Sequence, residues 1–273
     1  NLYFNFDYRK LQTNLLAYGG NDSIQPIEKR VENTIAGNLY LQYQIINPIM
    51  IGAIVDYNLI NVSRDFREQI SAIPYSAFYR DISQSNLNFQ IFSKINTGKF
   101  TESIYLNIKN ITEKNNLSNK FSENTIELSQ YQNLENQRDY TDSRVSLYSQ
   151  SMYRFSNNTQ LIGIYNISLN RYDTPSKDNY DDRDEFNQII NFQFLHRFSS
   201  ILDFNIEFEN QATHYVYIFS QRSALNNWNR TYRFTPQINY YGERFDFHPQ
   251  FEVLANYTAY DYELNLSNLK SFS

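Results

Sequence analysis

Apolar and polar residues alternate along eleven stretches of this chain, and the connections between those stretches are by turns short and long. Alternation with a period of two gives a strand one apolar and one polar face. Strand one, Leu2 to Tyr18, sets Leu2, Phe4, Phe6 and Tyr8 against Asn5, Asp7 and Arg9. Strand two, Val31 to Ile46, sets Ile35, Leu39, Leu41, Tyr43 and Ile45 against Thr34, Asn38, Gln42 and Gln44. The pattern recurs in strand four (Leu87, Phe89, Ile91), strand eight (Phe186, Ile190, Phe192, Phe194) and strand nine (Leu202, Phe204, Ile206, Phe208). Strand eleven, which carries Phe245, Phe247, Phe251, Val253 and Tyr257 on one face, is the last of the series.

Tight turns are expected near residues 47, 97, 157, 198 and 242, where Asn, Pro, Gly and Ser gather. Between them lie the long segments 63–85, 113–142, 173–184 and 215–229, of which 113–142 is rich in Asn, Ser, Glu and Gln and 173–184 is acidic. Short turns at one end and long loops at the other are the pattern of a transmembrane β-barrel, whose strands need about 9–11 tilted residues to cross the hydrocarbon. The expected fold is therefore all-β, an antiparallel up-and-down transmembrane barrel. The chain opens in mid-strand at Asn1-Leu2-Tyr3-Phe4 and stops in a further strand near Leu269 to Ser273. The expectation is a single barrel segment over residues 1–273, cut at both ends from a barrel of at least about twelve strands.

Composition sharpens this picture. With 24 Tyr and 21 Phe among 273 residues, yet a mean hydropathy of −0.61, the chain suits a wall that is aromatic on one side and amide-rich on the other. A soluble all-β sandwich is the main rival, but its strands usually run to five or six residues. A solenoid would use abundant Gly, and there are only 7 here. The net charge of −5 argues against a nucleic-acid partner. The absence of Cys removes disulfides and thiolate metal sites. No apolar run reaches the length of a membrane helix.

Candidate chemistry is sparse. His196, on the apolar face, His214, near a long loop, and His248, on the polar face, show neither metal spacing nor a nucleophile–base pattern. No enzyme activity, cofactor or metal site is expected. The acidic loop carrying Asp173, Asp178, Asp181, Asp182, Asp184 and Glu185 lacks the spacing of a calcium loop and reads as solvated surface. The polar faces carry Arg144, Arg154, Asp203, Glu207, Glu209, Arg233, Asp246 and Glu252, the charges expected to point into a lumen. They either pair across strands or select solutes. Tyr153, Phe155, Phe198, Tyr240 and Phe245, bunched at the short-turn ends, suit an interfacial aromatic girdle. The loop from Arg222 to Arg230, around Trp228, is a candidate contact surface for a ligand or partner.

With turns such as Ile46-Asn47-Pro48 and Phe155-Ser156-Asn157-Asn158 between long hairpins, and with long Asn/Tyr-rich loops, the chain resembles the barrels of Gram-negative outer-membrane proteins of the TonB-dependent-receptor type. The resemblance implies an outer-membrane location, lipid as the neighbour of the apolar face and a periplasmic or surface protein partner. Solute transport through a polar lumen is the expected function. A non-enzymatic anchor or scaffold in an outer-membrane assembly is the alternative, and a soluble all-β binding protein a further one.

Overall fold

A computed structural model describes residues 1–18, 24–66, 79–117, 125–175, 181–262 and 269–272. The strands are β1 (Leu2–Tyr18), β2 (Ile24–Ile46), β3 (Ile49–Phe66), β4 (Tyr79–Asn96), β5 (Phe100–Leu117), β6 (Tyr140–Ser156), β7 (Thr159–Asp173), β8 (Arg183–Arg197), β9 (Leu202–Tyr217), β10 (Asn227–Tyr241), β11 (Asp246–Phe247), β12 (Val253–Tyr260) and β13 (Leu269–Phe272). Among the described residues one helix, α1 (Thr125–Asn136), lies between β5 and β6, and a 3-10 turn spans Ser220–Leu225. The fold is all-β, antiparallel and up-and-down. One sheet runs from β1 to β10 and on to β12 and β13, each strand beside its chain neighbour, with the two-residue β11 paired to β10. The described pairings stop at β1 and β13, which are not joined to each other.

All five expected tight turns are present. A cis peptide at Asn47-Pro48 joins β2 to β3. Gly98, at φ +82, fills a left-handed position in the β4–β5 turn that a side chain would strain. Several expectations are corrected. The segment 63–85 is strand at both its ends, because β3 continues to Phe66 and β4 begins at Tyr79, and the segment 113–142 is not one open loop, because β5 continues to Leu117 and α1 occupies its middle. Strand eleven is not continuous from Phe245 to Tyr257. Pro249 has no N–H to give to the sheet, so the chain forms β11, a single bridge from Gln250 to Gln237, and then β12 from Val253.

Directly opposed residues share a face, so the register sorts every side chain. One row runs Phe4, Leu39, Val55, Phe89, Ile108, Val145, Leu169, Phe186, His214, Trp228 and Ala259. The row one residue along is Asn5, Asn38, Asp56, Asn88, Lys109, Arg144, Asn170, Glu185, Tyr215, Asn227 and Tyr260. The apolar face is the open one: Leu39, Phe192 and Phe251 are 39%, 50% and 66% exposed. The polar face is the more enclosed, and its few apolar members, such as Phe92 and Val62, are buried. This arrangement inverts the usual soluble one, in which apolar groups are sealed within. Gly52 belongs to the polar face, where a Cβ would meet the Phe92 ring and stand 2.6 Å from the Leu41 carbonyl oxygen. Its lack of a side chain lets that ring lie across β3.

Candidate functional site: the polar face and its borders

The polar face is knit together by amides and carboxylates. Asp56 accepts hydrogen bonds from Asn38 Nδ2 and, at 3.0 Å, from Asn88 Nδ2, one on each neighbouring strand. Further along, Asn191 donates to Glu207 at 2.5 Å and Asn239 to Asp203 at 2.6 Å. Arg233 stands between Glu209, at 3.3 Å, and Glu252, at 3.6 Å. Arg144 donates to Ser168 Oγ at 3.4 Å. Arg154 lines a small recess beside the 157–158 turn with Gln160 and Asp203. Asp246 pairs in register with Tyr241, on the polar side of β10. The register thus puts Arg144, Arg154, Asp203, Glu207, Glu209, Arg233 and Asp246 on one face, and the contact with Arg233 puts Glu252 there too. It brings only Arg233, Glu209 and Glu252 into a mutual charge cluster.

Rings form a second pattern on this face. Tyr3, Tyr40, Phe92, Tyr105 and Tyr148 follow one another across the sheet with centroids 5.9 to 6.0 Å apart. Beside Tyr105 and Tyr148 lies a groove of about 570 Å³ bordered by Gln90, Asn107, Arg144 and Gln150. Side-chain amides and hydroxyls both donate and accept hydrogen bonds, so the surface is wettable and neutral apart from its isolated charges.

At the long-loop end, side chains of the polar face hold α1. Glu135 is fully buried, with one carboxylate oxygen 3.0 Å from Arg80 Nε and the other 3.7 Å from Arg138 Nη1. Asn115, also fully buried, accepts from Arg80 Nε at 3.1 Å, and its backbone N–H donates to Asp139 Oδ1 at 2.6 Å. The Leu117 N–H donates to Gln132 Oε1 of the helix at 3.1 Å.

The acidic loop is largely absorbed by its surroundings. Asp182 caps the Thr174 N–H and hydroxyl at 2.7 Å, Asp181 pairs with Arg222, Asp184 with Arg171 and Glu185 with Arg183. Asp178 lies outside the described residues. The histidines are dispersed: His196 meets Thr159, His214 meets Asp261 and His248 meets Asn239. The girdle aromatics meet at the short turns, Tyr153 with Phe155 at 4.9 Å and Tyr240 with Phe245 at 5.6 Å.

Two features on the apolar face were not anticipated. Glu102 sits there, between Phe100 and Ile104 in the alternation, and is only 9% exposed. Ser149 Oγ donates to its Oε1 at 2.6 Å and Ser151 Oγ donates to its Oε2. Strict counting by twos along β5 would have found it. Removing both donors, Ser149→Ala with Ser151→Ala, is expected to destabilise the sheet by about 1–3 kcal/mol, since the carboxylate stays behind unsatisfied. The triple variant Glu102→Leu with both serines changed to Ala, which removes the charge and its donors together, is expected to be neutral or stabilising. Urea unfolding midpoints of the two variants in detergent micelles check the opposite signs. The second feature is Trp228, which belongs to β10 and to the apolar face rather than to the loop 215–229.

No protein-family model matches the chain, and no curated protein does. Among solved structures it is similar to the crystal structure of the β domain of the Bordetella autotransporter Brka, at 10% identity, covering 96% of this chain and 98% of that one, with a TM-score of 0.31.

Proposed function

We propose that the chain is the wall of an integral outer-membrane β-barrel of a Gram-negative bacterium, with lipid on its apolar face and a polar, water-filled bore that admits small solutes. One observation carries this reading: a continuous apolar face carrying side chains such as Leu39, Val145 and Phe192 is exposed on one side of the sheet while the amides and charges gather on the enclosed side. Water does not tolerate an apolar expanse of that size on a monomer, and a bilayer requires it. The outer edges of β1 and β13 need partners in lipid, so the wall closes on itself or on further strands. The barrel does no catalysis in this reading, and its short turns face the periplasm while the long loops face outward.

The test is reconstitution. Protein refolded into phosphatidylcholine vesicles is expected to shield its strands from added protease and to carry a steady ionic current in planar bilayers. Failure to insert overturns the membrane reading. Insertion without current favours a second reading, an anchor or scaffold with a filled bore, for which the specific observation is α1. The helix is fastened to Arg80, Asn115 and Leu117 on the polar side of β4 and β5. Active uptake of the TonB-dependent-receptor kind is a finer form of the first reading and would show as binding of a solute too large to diffuse through the bore.

A further inference from the structure

Arg230 breaks the rule of the apolar face. It follows Ile167, Gln188 and Ala212 in one register row and precedes Tyr257, on the side of β10 that also shows Trp228, Tyr232, Phe234 and Ile238. A cation on a lipid-facing wall is costly near the bilayer centre and tolerable near the headgroups. Arg230 lies close to Asn227, where β10 begins at the long-loop end, so it stands at the border of the apolar belt. There its guanidinium carbon is 5.1 Å from the centroid of the Trp228 ring. That ring is stacked on His214 with centroids 4.3 Å apart and planes 5° apart. His214 Nε2 in turn meets Asp261 Oδ2 at 2.8 Å. The Asp261 carboxylate is therefore engaged by the histidine, and among the described residues no ion pair neutralises Arg230. Trp228, Arg230, Tyr232 and Tyr257 border an open cavity of about 420 Å³.

We infer that this cavity is a binding site for the phosphate of a net-anionic membrane lipid, a conclusion that rests on the membrane reading above. The guanidinium fork matches two phosphate oxygens at once, and charge-assisted hydrogen bonds of that kind are the strong ones. Trp and Tyr rings suit the boundary between acyl chain and headgroup, apolar on their faces and polar at their tips. The Trp228 ring, held from one side by His214, orients the arginine rather than leaving it to wander in the headgroup layer. Attraction by overall charge does not explain such a site, because the chain's net charge of −5 repels anionic lipid. The recognition is local.

Trp228 is the only tryptophan, so its fluorescence reports this cavity alone. The protein refolded in phosphatidylcholine vesicles is doped with a small fraction of phosphatidylglycerol carrying brominated acyl chains, and in a parallel series with brominated phosphatidylcholine. Quenching by the anionic lipid is expected to exceed that by the zwitterionic one, equivalent to about tenfold tighter association. Arg230→Gln is expected to bring the two lipids to parity, and Arg230→Lys, which keeps the charge without the fork, to fall between. Retained strand content by circular dichroism shows that each variant has folded. Equal quenching by both lipids in the unaltered protein, or a preference that survives Arg230→Gln, overturns the lipid site while leaving the barrel intact. Quenching by neither lipid overturns the membrane reading and the site with it. A change in Trp228 emission on adding inorganic phosphate to the protein in zwitterionic micelles, abolished by Arg230→Gln and unaccompanied by lipid preference, would assign the cavity to a soluble phosphate instead.

Discussion

Leu106→Arg is expected to cost roughly 2–4 kcal/mol of insertion free energy, the penalty for a cation on the lipid face at the bilayer midplane. Leu106 is 40% exposed on the apolar face, between Ile91 and Leu147 on the flanking strands. Asn107→Arg, one residue along β5, places the same cation on the polar face beside Gln90 and Ser146. There water and amides solvate it, and the expected cost is within about 0.5 kcal/mol of zero, as for surface substitutions generally. Reversible unfolding in urea with lipid vesicles present measures both. Equal costs at the two positions would mean that the exposed face does not meet lipid, and the proposed function would fall. The comparison is sharp because the two residues share a strand, a depth and a parent hairpin. They differ only in the side to which they point.

The second large effect concerns the joint under α1. Glu135→Ala leaves Arg80, only 15% exposed, without its carboxylate. Breaking a buried pair from one side costs about 3–5 kcal/mol, since the remaining charge stays desolvated. The loss should be local. Amide hydrogen exchange is expected to accelerate in the 132–139 segment and at the ends of β4 and β5, while the mid-strand amides of β7 to β9 keep their protection. Arg138 is half exposed, so its own contact with Glu135 is screened and contributes little. Replacing both partners together, Arg80→Met with Glu135→Leu, is expected to restore most of the protection. A double variant as labile as Glu135→Ala would show that the helix is held by something other than this charge pair.

The contrast between these two predictions also shows what can be seen in the sequence. Side-chain parity in a strand depends on nothing but counting, so the two faces are legible in the sequence, and the five tight turns are marked by their Asn, Pro, Gly and Ser residues. The polar-face charges followed from the same count. α1 was not legible, because its anchor joins residues far apart in the sequence, Arg80 from one strand and Glu135 from the helix, which no local pattern reveals. The break before β12 had a visible cause in Pro249, but the alternation on either side of the proline carried the expected strand straight through it. The expected loop bounds of 215–229 take in Trp228 together with Asn227 and Asn229. In the sheet those two asparagines belong to the polar face, and the tryptophan between them to the other. Glu102 was passed over for the opposite reason, as a polar residue in a polar-looking strand end whose parity went uncounted.

Each strand in this sheet lies beside its immediate predecessor and successor in the chain, apart from the small detour at β11. A segment of two strands and one tight turn is therefore a self-contained tile. Its removal or duplication would change the girth of the wall while leaving the inside and outside of all other tiles untouched. A single strand could not be lost in the same way, since every later strand would then run upside down and its loops would emerge on the wrong side. Variation in such an architecture is expected to come in pairs of strands, with the long connections free to grow or shrink at small entropic cost.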